Sequence, residues 1–166
     1  MKITKTKIFL SIIILIHLTF IFFSAGQLYY GDEIYLLTAA KEIASGHITG
    51  RFGYLDGRLD QNMSSMLMHP PTYAYLLSLF IYLFGENTYS IRSVSALFAI
   101  GVIILIYLIT KRILKTRNIE ESEKWALIAA FIYAINPMAI QNSILVDIDG
   151  GLLNFSIYLF LYLFIK

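Results

Sequence analysis

Residues 91–110 read IRSVSALFAIGVIILIYLIT and run straight into the basic stretch KRILKTR at 111–117. An apolar run of this length matches the ~20 residues a helix needs to cross a hydrocarbon core of roughly 30 Å. Lysine and arginine crowded at one end of such a run mark the cytoplasmic side. The first apolar run, residues 8–24, has the same character, with Lys2, Lys5 and Lys7 ahead of it. The whole chain of 166 residues is 58% hydrophobic and 14% charged, and it has no cysteine. A soluble domain of this size needs more charged surface than that. Membrane residence follows, and disulfides and thiolate metal sites are excluded.

Working outward, the acids separate from the bases. Asp32, Glu33, Glu42, Asp56, Asp60 and Glu86 fall between the first two runs, and Asp147 and Asp149 precede the last one. The expected topology places the amino terminus and residues 111–124 in the cytoplasm and the acidic stretches outside. The expected fold is an all-α membrane protein: a polytopic helical bundle of about four spans, at residues 8–25, 91–110, 125–146 and 151–166. A cleaved signal peptide is the rival reading of residues 8–24, with Ser24, Ala25 and Gly26 as its small residues, but the apolar stretch exceeds the usual ~7–15.

Residues 26–90 form the expected external loop, with juxtamembrane helices at about 32–45 and 71–84. Leu36, Leu37, Ala40, Ile43 and Ala44 recur at helical spacing, and Gly46 is a natural stop. Residues 51–68, rich in Gly, Asp, Asn and Ser, read as loop. Pro71 opens and Gly85 closes the second apolar stretch. It is too short to span, and crossing there would put the bases at 111–117 outside; Tyr73, Tyr75, Tyr82 and Tyr89 suit the membrane interface. Within residues 125–146, Asn136-Pro137 interrupts the helix and frees backbone carbonyls. No internal repeat and no separate soluble domain are evident.

Three external features can carry chemistry: Asp32-Glu33 at a helix start, His69-Pro70-Pro71 at the entry to the interfacial helix, and Asp147 with Asp149 at the mouth between two spans. Arg92, at the outer end of a span, is the accompanying cation. Each has a plainer explanation: Asp32 as a helix cap, His69 as an interfacial histidine, Asp147-x-Asp149-Gly150-Gly151 as a polar turn, Arg92 reaching for headgroups. Ionisable groups at membrane depth nevertheless tend to be functional. His47, Asp56, Asp60 and His69 follow no metal-ligand spacing; a divalent ion is left open and not indicated.

The stretches YYGDEIYLLTAAKEIASGHI, HPPTYAYLLSLFIYLFGENTYSIRSVSALFAIGV and SILVDIDGGLLNF resemble, in that order, the motifs of the GT-C class of polytopic glycosyltransferases. The resemblance is greatest to the superfamily of protein O-mannosyltransferases and aminoarabinose transferases. It implies transfer of a sugar from a polyprenyl-phosphate donor to a hydroxyl of a lipid, glycan or protein acceptor, on the non-cytoplasmic side and with inversion. Asp32 then maps to the general base, with Glu33 its neighbour and Asp149 the later acid. His69, Arg92 and Asp147 are the implied substrate-binding groups, with Arg92 holding the lipid phosphate. Family members are several times longer, so the chain is expected to be an amino-terminal part of such an enzyme. A non-catalytic fragment or subunit is the alternative, and a small transporter subunit a more distant one. Nucleic acid is not an expected partner.

Overall fold

The computed structural model describes residues 5–26, 32–46, 54–55, 58–59 and 72–165. Helices occupy nearly all of them: α1 Lys5–Ser24, α2 Asp32–Ala44, α3 Thr72–Phe84, α4 Thr88–Thr116, α5 Ser122–Ala134, α6 Pro137–Ile144 and α7 Leu153–Phe164. A two-residue antiparallel ladder pairs β1 Tyr54–Leu55 with β2 Arg58–Leu59. A π-helical turn, Ile148–Leu152, leads into α7. The chain is thus all-α in architecture.

α4 is the spine, and α1, α3, α5, α6 and α7 all pack on it. Its 29 residues extend roughly 43 Å, longer than a hydrocarbon core. α1 and α4 are long and apolar enough to cross a membrane, and α5 with α6 forms a third candidate if the bent pair counts as one span. Lipid is the natural solvent for the outward faces: Phe9, Leu15, Phe22 and Phe23 of α1, and Phe160 and Leu163 of α7, are all exposed. Inside, Ala126, Ala130 and Ala134 form a fully buried stripe on α5 against Ile13, Ile103 and Tyr107. Small residues at this spacing let helix backbones approach closely.

Local chemistry sets the boundaries. Gly46 and Gly85 adopt positive φ just beyond α2 and α3, the left-handed stop that glycine accepts without a Cβ clash. Asn87 caps α4, its side chain accepting from Ser90 N at 2.9 Å. α4 therefore begins at Thr88 and, instead of ending near 110, continues through the first basic residues to Thr116.

The expected helix over 125–146 is broken. α5 and α6 meet at 63°, because Pro137 cannot continue the hydrogen-bond ladder and Asn136 starts a new helix. Asn136 Oδ1 accepts from Met138 N at 2.8 Å and Ala139 N at 3.3 Å. The stretch 147–151, for which a polar turn is the plainer of two readings, enters the π-helical turn, and the helix expected over 151–166 is α7, Leu153–Phe164. Tyr73 is also not an interfacial residue like its neighbours: it is fully buried, whereas Tyr75, Tyr82 and Tyr89 are exposed.

At one end of the bundle Glu123 ties three helices. It accepts from Thr6 Oγ1 at 2.8 Å and pairs with Lys111 Nζ at 2.5 Å. The start of α1, the end of α4 and the start of α5 therefore lie together.

Of the two glycines in the π turn, Gly150 is sterically required and Gly151 is tightly packed. A Cβ on Gly150 would stand 2.7 Å from the Asn142 carbonyl oxygen, and one on Gly151 would stand 3.2 Å from Ser95 Cα. Gly101 is tight as well, but its nearest neighbour is the Phe155 ring, 2.5 Å away. A ring can swing aside; a helix carbonyl cannot. Gly150→Ala should therefore destabilise the folded chain by about 1–3 kcal/mol, and more than Gly101→Ala does, as read from thermal unfolding in detergent.

Candidate active site

The site is assembled where α6 ends. Beyond Ile144 the chain leaves the helix, so the last carbonyls lose their intrahelical partners and must find others in a place from which water is excluded. Side chains from two distant helices supply them. Arg92 of α4, 2% exposed, donates through a guanidinium nitrogen to Ile144 O. Ser95, one turn further along α4 and fully buried, donates to Leu145 O. Glu33 of α2, 4% exposed, accepts the next backbone amide, Val146 N, at 2.7 Å. Three successive backbone groups are thus each held by a separate side chain.

The holders are themselves coupled. The same Glu33 oxygen lies 3.6 Å from the Arg92 guanidinium. Tyr73 OH is 2.6 Å from Ser95 Oγ. Ser95 has one hydroxyl hydrogen and places it on Leu145 O, so Tyr73 is the donor in that pair. Burial pushes the Tyr73 phenol well above its ordinary value, and the nearby Asp147 and Glu33 charges reinforce this against the opposing Arg92 charge. Tyr73 stays a neutral donor throughout the physiological range.

Of the acids singled out in the sequence, Glu33 and Asp147 come together with Arg92 around Tyr73. Asp32 opens α2 one residue before Glu33, and Asp149 stands in the π turn three residues after Val146. Their backbones are therefore within about one and three residue steps of the Glu33–Val146 contact; their side chains, and all of His69, lie outside the described residues. So do His47, Asp56 and Asp60, and among the described residues no three metal-ligating side chains stand together. Arg92, expected to meet a lipid phosphate, is instead turned inward.

Two members of this network carry no flag in the reading of the sequence. Ser95 looks like any small residue in a span, and Tyr73 like any interfacial aromatic. Among the remaining helices, His17 is fully buried in α1; an ionisable residue in the middle of an apolar run is the signal that should have marked it.

Helices that turn apolar faces outward while enclosing a charged pair define a helical membrane protein, of the architecture used by the GT-C glycosyltransferases. A model of the dolichyl-phosphate-mannose-protein mannosyltransferase family matches residues 68–166, more than half of the chain, and the chain belongs to that family. No curated protein and no solved structure matches it. The family match includes Tyr73, Arg92, Ser95 and both later acids but stops short of Asp32 and Glu33. What joins those two to it is the contact of Glu33 with Arg92 and Val146.

Removing one member of the buried pair strands the other. Glu33→Leu and Arg92→Leu should each cost about 3–5 kcal/mol, while the double variant should cost much less than their sum. Glu33→Gln, which still offers Val146 N an acceptor, should be the mildest of the Glu33 changes. A double-mutant cycle on thermal unfolding reads the coupling directly.

Proposed function

We propose that this chain forms the acidic reaction centre of a membrane glycosyltransferase that moves a sugar from a polyprenyl-phosphate donor to an acceptor hydroxyl, with inversion, on the non-cytoplasmic side. The observation that carries the reading is the Glu33–Val146 contact, which brings the start of α2 and the acids following α6 into one neighbourhood although they are far apart in the chain.

Asp32 serves as general base. As the acceptor oxygen attacks the anomeric carbon, its proton passes to the Asp32 carboxylate. The new C–O bond forms, the bond from C1 to the phosphate oxygen breaks, and the polyprenyl phosphate leaves with the electron pair. Positive charge grows on the sugar ring in that transition state, and Asp149, with Asp147 beside it, stabilises it electrostatically. In its protonated form His69 assists at the leaving phosphate in this reading. Glu33 and Arg92 take a different role from the one the resemblance implies: both are buried, so they act by holding residues 144–146 rather than by touching substrate.

Orientation has its own support. Lys5 and Lys7 lie at the end of the bundle where Thr6 and Lys111 meet Glu123, and the bases of 111–124 gather there. Arg92 lies 19 residues before Lys111 in α4, roughly 28 Å away along the helix axis, about one hydrocarbon thickness. With the bases inside, the acids face the other side, and a lipid donor reaches them with its tail still in hydrocarbon.

Membranes carrying the protein, supplied with radiolabelled polyprenyl-phosphate mannose, test this. Asp32→Asn should lower transfer by ~10²–10⁴-fold at an unchanged protein level. Undiminished transfer by that variant would remove the base and favour a non-catalytic subunit.

A further inference from the structure

We propose that His17 is a positioning residue: it clasps the bend between α5 and α6 and so sets where residues 144–146 meet Glu33, Arg92 and Ser95. The catalytic consequence rests on the reading of that end of the bundle as a transferase site; the mechanical claim does not.

His17 lies roughly 18 Å along α1 from Lys5 and is fully buried. An imidazole at that depth is costly unless both nitrogens have partners, and both do. Nδ1 is 2.6 Å from Ala134 O, and Nε2 is 2.9 Å from Ser143 Oγ. A carbonyl oxygen accepts only, so Nδ1 carries the hydrogen, and in the neutral ring Nε2 accepts from the serine hydroxyl.

These partners are not arbitrary. In an unbroken helix Ala134 O would accept from Met138 N. At this bend Met138 N is bonded to Asn136 Oδ1 instead, and His17 fills the carbonyl's vacancy. Ser143 belongs to the last turn of α6, immediately before Ile144, whose carbonyl Arg92 holds. One ring from a third helix therefore bridges the end of α5 and the end of α6 across their 63° bend. Ser143 Oγ also lies 2.5 Å from Ala139 O. Its single hydrogen serves one acceptor at a time: when it turns to Nε2 the ring is satisfied in its neutral form, and Ala139 O keeps the backbone amide of Ser143, its ordinary partner within α6.

Loss of the clasp would leave Ala134 O without its donor and let α6 swing about the Asn136-Pro137 joint. Residues 144–146 would then no longer arrive in register with their holders, and Asp147 and Asp149 would move with them.

The test uses the full chain in lipid nanodiscs, with amide hydrogen exchange over residues 137–146 and transfer kinetics with polyprenyl-phosphate mannose measured on the same samples. His17→Leu should exchange those amides about tenfold faster and lower kcat with KM little changed. His17→Gln, which keeps a donor and an acceptor, should recover most of both. Should His17→Leu fail to fold, Ser143→Ala removes the Nε2 contact alone and should show a smaller rise in exchange over the same residues. Unaltered exchange in 137–146 for the folded variants overturns the clasp, whatever the activity. Faster exchange with unaltered transfer overturns its role in positioning the site. If the unsubstituted protein transfers no sugar, the transferase reading fails and the exchange results alone decide whether His17 holds the bend.

Discussion

The carboxylate of Glu33 holds the backbone amide of Val146, and the rest of the molecule is arranged so that this contact can exist. A buried carboxylate needs a cation and hydrogen-bond donors, or the cost of taking it out of water is not met. Arg92 is the cation, and it also draws in the Ile144 carbonyl. Because α2 comes early in the chain and Val146 late, one hydrogen bond to a carboxylate closes a loop of more than a hundred residues. The apolar cluster of Leu36, Leu37, Ala40, Tyr73, Leu77, Ile91, Val94 and Val146 surrounds it and keeps water away, which strengthens every polar contact inside.

The bundle has two ends of opposite character. At one, Glu123 gathers Thr6 and Lys111 in an exposed, hydrated pair, where such interactions contribute little to stability. At the other, the pair is sealed and each partner depends on the other. This asymmetry divides the bundle between an end that needs only to stay solvated and an end where buried polar groups fix the path of the backbone at residues 144–146. Between them, α4 carries both ends on a single rod, and α5 and α6 give up a straight crossing so that α6 can deliver its last carbonyls to that rod.

Much of this was legible in the sequence because it is written in local patterns. The apolar runs at 8–24 and 91–110 announce α1 and α4 by length alone. Gly46, Pro71 and Gly85 punctuate α2 and α3 at nearly the right residues, and Asn136-Pro137 marks the break between α5 and α6. What could not be read was long-range. A lone arginine at the end of a span reads as a phosphate ligand, and its buried neighbour Glu33 is too far off in the chain to be found from sequence. The size of the bend depends on what catches the freed Ala134 carbonyl, and that catch comes from α1. Tyr73 shares its helix with Tyr75 and Tyr82, and only the packing of α2 and α4 against one face separates it from them. Aspartates followed by two glycines also fit a polar turn, whereas a Cβ on Gly150 would collide with the Asn142 carbonyl and one on Gly151 would crowd Ser95.

That turn also sets the rotation of everything after it. A π turn accommodates one residue more than the α turn it replaces, so the face that α7 offers to α4 depends on the count of residues between 148 and 152. Losing one of them while the turn keeps its π winding would shift α7 by one position and rotate its face by about 100°. The Phe155 ring, now seated over Gly101, would swing out toward lipid. The spacing of this short segment is thus as heritable a part of the architecture as any side chain in it, and insertions or deletions there should be rarer than substitutions.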